Sequence, residues 1–294
     1  MLFQKKKLAA AVAALTFAAG VPAVLYPQVQ AAAVSQASID AKSQLGNELS
    51  QRAPASERNM TFVSVMKTGM GENVNEGFIS FETEPSFTAQ GNLKTATAVN
   101  GKEQTTAMPF YIQQTDKGSM AYFQTPDKKW QKSAIKADNL VDFLGGAFEK
   151  EFLQKLLLTA KDVSCYPDDN GIEKTYMLTV NGSMLQPILP TMPENESFNG
   201  ISGAVWNKAM GSLGDFKIKI RIDNERHQIT AMEADLSEPM HRVAKVMAED
   251  PAYAPLASQL ENGYFAVALQ AGPNNILSNI TVPKDVLKKA KNVD

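Results

Sequence analysis

The chain has 294 residues, of which 44% are hydrophobic and 20% are charged, values that are ordinary for a globular protein. Residues 1–33 contain three lysines and no acid, so 26 basic and 31 acidic residues remain beyond them, a net charge near −5. Binding to nucleic acid requires basic patches that displace counterions, and this balance disfavours it.

Residues 1–33 have the pattern of a signal peptide. Lysines at positions 5–7 precede the apolar run LAAAVAALTFAAGVPAVLY, and VQAAA then offers small residues for cleavage after Ala31 or Ala33. The run is also long enough for an uncleaved membrane anchor, which stays the alternative, although Pro22 favours a signal peptide. No cysteine stands directly after the run, where a lipid would be attached. We therefore expect an exported protein of the periplasm, the cell envelope or the outside.

Two different sequence patterns follow residues 1–33. Residues 34–58 are polar, small and weakly periodic, which predicts a linker or a loosely docked first helix. From Met60 apolar and polar residues alternate, and turn signals recur at Asn100-Gly101, in TDKG and in TPDKKW. The segment 60–134 is therefore predicted to form a meander of about five or six antiparallel strands.

The second half of the chain mixes helices with hairpins. Apolar residues recur at helical spacing over 140–157, after a capping Asp138 or Asn139. A hairpin, a short helix and the clear hairpin DFKIKIRIDNERHQITAMEADL come next, and helices over 237–262 precede the closing strands. This order predicts an α+β fold with a curved, unclosed antiparallel sheet and helices packed on its concave face. We interpret 59–294 as one domain with a helical insert at 237–262.

The sequence contains none of the common catalytic signatures G-x-S-x-G, G-x-x-x-x-G-K-[ST] and H-E-x-x-H. His227 lies in a predicted turn and His241 on an amphipathic helix, so each is interpreted as a solvated or partly packed histidine rather than a base. Cys165 is the only cysteine, which excludes an internal disulfide. With two histidines it also leaves few nitrogen and sulfur ligands for zinc. We predict no catalytic residue, no metal and no cofactor.

Large apolar residues are frequent: 13 methionines and 14 phenylalanines are spread over predicted strands and helices. Methionine suits adaptable apolar surfaces. Two interpretations stay open. Either these side chains simply fill a core, or an apolar cavity between sheet and helices holds an acyl chain.

Three stretches resemble the lipoprotein-carrier superfamily, which includes the periplasmic carriers LolA and LolB and the mycobacterial LppX-type proteins. They are MAYFQTPDKKWQKSAI with the helix and hairpin after it, FKIKIRIDNERHQITAMEADL, and NITVPKDV. The similarity covers about residues 60–236 and 275–287, is closest to uncharacterised exported proteins of that fold, and departs in the insert 237–262.

The resemblance implies an unclosed antiparallel barrel with an apolar concave face, a helical lid, and carriage of lipids or lipoprotein acyl chains without catalysis. Such a carrier would contact a membrane transiently. An envelope structural or protein-interaction module without a ligand is the alternative. Phe78 and Ile79 have opposite parity, as have Tyr122 and Phe123, so only one of each pair can face the helices. The predicted ligand-lining residues are Phe78, Ile79, Phe110, Tyr122, Phe143, Phe148, Phe152, Phe216, Ile218 and Ile220.

Overall fold

A computed structural model describes most of the chain beyond residue 34. The described residues are 35–51, 57–69, 71–82, 86–99, 102–115, 118–135, 150–168, 171–182, 197–198, 201–272 and 280–292. The helices in them are α1 Gln36–Gln51, α2 Lys150–Thr159, α3 Gly203–Gly211, α4 Ser237–Met247, α5 Ala254–Leu260 and α6 Lys284–Lys289. The strands are β1 Glu57–Thr68, β2 Gly71–Glu82, β3 Thr88–Val99, β4 Lys102–Thr115, β5 Gly118–Gln124, β6 Trp130–Ile135, β7 Ala160–Pro167, β8 Glu173–Asn181, β9 Ser197–Phe198, β10 Ile201–Ser202, β11 Asp215–Asp223, β12 Gln228–Asp235, β13 Tyr264–Ala271 and β14 Lys291–Asn292.

Twelve strands form one curved sheet in the order β14-β6-β5-β4-β3-β2-β1-β13-β12-β11-β8-β7. Its pairings are antiparallel except for the parallel pair of β14 and β6. The terminal strands β14 and β7 do not pair with each other, so the sheet is unclosed. The predicted α+β class and the six-strand meander β1–β6 are confirmed. A seam between β1 and β13, in which Met60 pairs with Ala271, joins this meander to the rest of the sheet.

One face of the sheet, here called the inner face, holds most of the core. Residues of one parity on β11, from Phe216 to Ile222, lie on it beside Tyr176 and Leu178 of β8. This matches the alternation seen in the sequence, because successive side chains of a strand point to opposite faces. Leucines of α1 and α2 pack onto this part of the face and belong to the same core cluster.

Helix α1 is tightly docked, unlike the predicted linker or loose helix. Ala41, Leu45 and Leu49 recur every four residues and are buried in the core. Their stripe is narrow among polar neighbours, which explains the weak periodicity of the sequence.

Helix α1 also covers the edge strand β7. The Ser38 hydroxyl accepts a hydrogen bond from the Val163 backbone N–H at 2.8 Å, and the Lys42 ammonium donates to the Ala160 carbonyl at 2.9 Å. Pro167, at the end of the strand, has no N–H to offer. The outward polar groups of β7 are therefore partly used within the chain, which blunts this edge against further strand pairing.

Helices α3, α4 and α5 form a second cluster around Phe265 of β13. The predicted helical segment 237–262 thus consists of α4 and α5. Arg242 of α4 fixes the loop before β11 by donating hydrogen bonds to the Leu213 and Asp215 carbonyls at 2.7 and 2.6 Å.

Helix α6 packs on the opposite, outer face of the sheet, so not every helix lies on the inner face as expected. Val282, Val286 and Ala290 bury Tyr122, with Trp130 at the border of this cluster. Residues 280–292, here called the C-terminal strap, end in β14 and cover the edge of β6.

Deletion of residues 284–294 is expected to lower the free energy of unfolding by about 2 kcal/mol, because Tyr122 loses its apolar cover. The uncovered edge of β6 should then promote association between molecules. Sedimentation velocity over a range of concentrations measures the association, and urea denaturation followed by tryptophan emission measures the stability. Leu287→Ser, at an exposed position of α6, is the control and should leave both signals unchanged. A monomeric deletion variant of unchanged stability would contradict this role of the strap.

Candidate ligand site on the inner face

The strand register arranges the inner face of the meander in rows that run across the sheet. Two rows are mainly apolar: Met60, Ile79, Gly91, Phe110 and Phe123 form one, and Phe62, Gly77, Leu93 and Met108 form the next. Two further rows are mainly polar: Ser64, Asn75, Thr95 and Thr106, then Met66, Asn73, Thr97 and Gln104. The inner face is thus apolar at one end of these strands and polar at the other.

Two glycines allow aromatic rings to lie across the apolar rows. A Cβ atom at Gly77 would come within 2.8 Å of the Phe62 ring, and one at Gly91 within 2.6 Å of the Phe110 ring. Each ring therefore occupies the space above the glycine that pairs with it on the neighbouring strand. Glycine at these positions has a packing role, since any larger residue would displace a ring or the backbone.

The apolar rows are less buried on β4 and β5 than on β1 to β3. Leu93 is buried, whereas Met108, Phe110 and Phe123 on β4 and β5 are only half-buried. Among the described elements, the main helix contacts of the inner face lie instead at β7, β8, β11 and β13, against which α1, α2 and α4 pack. Half-buried apolar side chains beside a packed core form a surface on which an apolar ligand could bind.

The structure divides the predicted lining residues between the two faces. Ile79, Phe110, Phe216, Ile218 and Ile220 lie on the inner face. Residues Phe143 and Phe148 and the side chain of Phe152 lie outside the described residues.

Phe78 and Tyr122 lie on the outer face, which corrects the expectation that they line the concave face. Phe78 is 46% exposed to solvent there, and Tyr122 is buried under the C-terminal strap. A shift of one residue along a strand moves a side chain to the other face. Ile79 and Phe123 therefore occupy the inner positions next to them.

The burial of three predicted lining residues excludes them from the candidate site. Ile79 and Ile220 are each 1% exposed, and Ile218 is also buried by neighbours of the same chain. These three residues form packed core. Phe110 is the predicted residue that remains half-open within the apolar rows. Met108 and Phe123 join it, although the sequence prediction did not include them; their parity relative to Phe110 and Tyr122 was the available signal.

A small polar cluster lies where α1 meets β8 and the turn after β11. The Glu48 carboxylate accepts a hydrogen bond from the Lys174 ammonium at 2.8 Å and pairs closely with the His227 ring. Burial tends to raise the pKa of Glu48, but the hydrogen bonds and charges of Lys174 and His227 hold that pKa below its ordinary value. The cluster ties α1 to the sheet.

Two side chains next to this cluster, Cys165 and Tyr176, have raised pKa values. Burial raises the pKa of the Cys165 thiol, the opposite of what a nucleophilic cysteine needs. Burial likewise raises the pKa of Tyr176, which pairs with Cys165 across β7 and β8. Within the described ranges, no three histidine, cysteine or acidic side chains come together as metal ligands.

The helices of the described residues include none that is both long enough and apolar enough to cross a membrane.

Comparisons with known proteins give similarities at low identity. No family model matches the chain, and no curated protein matches it. It is similar to the crystal structure of LprF from Mycobacterium bovis, with 10% sequence identity and a TM-score of 0.42, over 85% of this chain and 99% of that one. It is also similar to a DUF1329 family protein from Desulfovibrio piger, with 10% identity and a TM-score of 0.27, over 82% and 95%.

Because these TM-scores are low, the fold assignment rests on strand order and register. The unclosed antiparallel half-barrel with covering helices is the architecture that the resemblance to the lipoprotein-carrier superfamily implied.

Proposed function

We propose that the protein is an exported, non-enzymatic binder of an apolar ligand, a lipid or the acyl chain of a lipoprotein. The observation that carries this proposal is the half-buried group Met108, Phe110 and Phe123 on the inner face of β4 and β5. The leader-like residues 1–33 support export, and collection of such a ligand would bring the protein transiently to a membrane.

The free energy of binding is favourable for a ligand with a single acyl chain. Burial of ten methylenes, at about 0.8 kcal/mol each, gives an upper limit of about 8 kcal/mol. Immobilisation of the ligand opposes part of this, so a net affinity in the micromolar range is a reasonable expectation. The site needs no catalytic group to hold such a ligand.

Phe123→Ser is expected to weaken binding of a fluorescent fatty-acid probe about tenfold, because it removes an aromatic surface from the open part of the site. Phe123 lies on the inner face outside the core clusters, so the fold should tolerate the change. The matched control is Phe78→Ser, an identical substitution on the outer face, which should leave the affinity unchanged.

Titration of delipidated protein and native mass spectrometry of purified protein provide the measurements. Equal loss of affinity in both serine variants would place the ligand elsewhere. Absence of probe binding and of any lipid adduct in the unaltered protein would end the proposal.

An envelope structural or interaction module without a ligand is the second candidate. The packed state of Ile79, Ile218 and Ile220 favours it, because much of the inner face is filled by the chain's own side chains. The absence of a lipid in both measurements above is the result that this candidate predicts.

A further inference from the structure

The residues of the two polar rows of the inner face lie outside the hydrophobic core clusters. At the same level on four neighbouring strands, the inner-facing residues change from apolar to uncharged polar side chains. The change falls after Phe62 on β1, before Gly77 on β2, after Leu93 on β3 and before Met108 on β4. A switch repeated in register over four strands marks a boundary between two kinds of surface.

Most of the polar side chains are fixed by one another. Asn75, which is 7% exposed, donates hydrogen bonds to the Ser64 hydroxyl at 3.0 Å and to the Asn73 side-chain oxygen at 2.6 Å. It accepts one from the Thr95 hydroxyl at 2.8 Å, and Asn73 donates to the Thr97 hydroxyl at 3.1 Å. This network holds its members in one arrangement before any ligand arrives.

Two members of the rows remain available. The side chains of Thr106 and Gln104 on β4 make no hydrogen bond to another described residue. The described part of β5 pairs with β4 only from Phe110 onward, so the edge of β4 beside Thr106 has no strand partner among the described residues. A recess of about 340 Å³ lies over the adjacent ends of β3 and β4 and is lined by Thr97, Val99, Lys102 and Gln104.

The two polar rows contain no charged residue. Lys67 pairs with Glu72 at 3.1 Å and Lys94 with Glu76 on the outer face. On the inner face, the next row towards the turn between β3 and β4 contains the exposed Lys102, which also lines the recess and lies about 13 Å along β4 from Thr106. Hydroxyl and amide groups suit a neutral partner that both donates and accepts hydrogen bonds. At Thr106, about 13 Å along the strand from the exposed Lys102, solvent screens the charge of that lysine, so a negative charge on the ligand would gain little there.

We propose that Thr106 and Gln104, supported by the network around Asn75, bind the uncharged polar part of an amphiphile whose apolar chain lies on Phe110 and Phe123. This inference rests on the proposed function and specifies its ligand class. Phe110 and Thr106 are four residues apart on β4, about 13 Å along the strand. With this separation, the polar part of the ligand can contact Thr106 while its apolar chain lies on Phe110.

The test compares two probes with the same chain and different polar parts, 1-monooleoylglycerol and oleate. The unaltered protein is expected to bind 1-monooleoylglycerol about threefold to tenfold more tightly, the effect of roughly one net hydrogen bond. Thr106→Val and Gln104→Leu should each reduce this ratio towards one. Thr105→Val is the matched control, since Thr105 is exposed on the outer face of the same strand, and it should keep the ratio.

Isothermal titration calorimetry gives the ratio, and the midpoint of thermal unfolding confirms that each variant is folded. If both probes bind equally to the unaltered protein, or if neither inner-face variant changes the ratio, the polar-part assignment is wrong while chain binding stands. If neither probe binds, the proposed function fails and this inference fails with it.

Discussion

Glu48→Ala is expected to lower the free energy of unfolding by about 3 kcal/mol, the usual cost of removing one partner from a buried ion pair. The Glu48 carboxylate is 8% exposed and is shared by Lys174 and His227. Its loss leaves two polar groups of the sheet without their acceptor at the point where α1 is attached. Urea denaturation of the variant and the unaltered protein measures the difference.

The control is Glu72→Ala. Glu72 also pairs with a lysine, Lys67, but both side chains are at least 40% exposed, so its removal should change stability by less than about 1 kcal/mol. Equal effects of the two alanine substitutions would show that the buried cluster does not hold α1.

Glu48 also predicts a dependence of stability on pH. The folded state holds the pKa of this carboxyl below the ordinary value of 4.5, so the unfolded chain binds the proton more readily. The stabilisation is therefore present above that value and is lost as the pH falls through the lower pKa of the folded state. Below pH 4.5 the unaltered protein should lose stability more steeply than Glu48→Ala, and parallel profiles would contradict the assignment.

Gly91→Ala is expected to cost about 3 kcal/mol, at the upper end of the range for overpacking in a core. A Cβ atom there would lie 2.4 Å from the Phe78 carbonyl oxygen and 2.6 Å from the Phe110 ring. The ring can turn away, but the carbonyl belongs to the paired strand β2 and cannot move without disturbing the sheet. The variant should also lose probe binding, because Phe110 is displaced.

Gly69→Ala is the matched control for Gly91→Ala. A Cβ atom at Gly69 would meet nothing within 4 Å, and the residue lies in the turn after β1. Thermal unfolding should show that the free energy of unfolding of Gly69→Ala is within about 0.5 kcal/mol of that of the unaltered protein. A Gly91→Ala protein as stable as this control would mean that the rings and strands adjust freely.

Alternation was sufficient to predict the meander and the hairpin β11–β12, because a period of two specifies a strand and the shared face of its alternate residues. It could not specify which parity faces inward on β2 and β5. Phe78 and Ile79 are both large and apolar, so only the pairing register separates them. The outer position of Tyr122 depends on the C-terminal strap, whose packing partners lie far away in sequence.

Other features of the site could not be predicted from the local sequence pattern. The polar rows form only when four strands are aligned, and Asn75 or Thr95 alone resembles any surface residue of a strand. Helix α1 was underestimated because its stabilising groups, among them Lys174 and Val163, belong to distant segments. Tertiary contacts of this kind override weak local signals.

The seam between β1 and β13 has a consequence for how the chain acquires its structure. The meander β1–β6 is built from neighbouring hairpins and can form early, whereas the seam joins Met60 to Ala271 across most of the chain. Such distant pairings form slowly because a long loop must close first. As the chain is synthesised, the edge of β1 that pairs with β13 therefore stays unpaired until residue 271 has appeared, and in that interval the chain depends most on protection from aggregation.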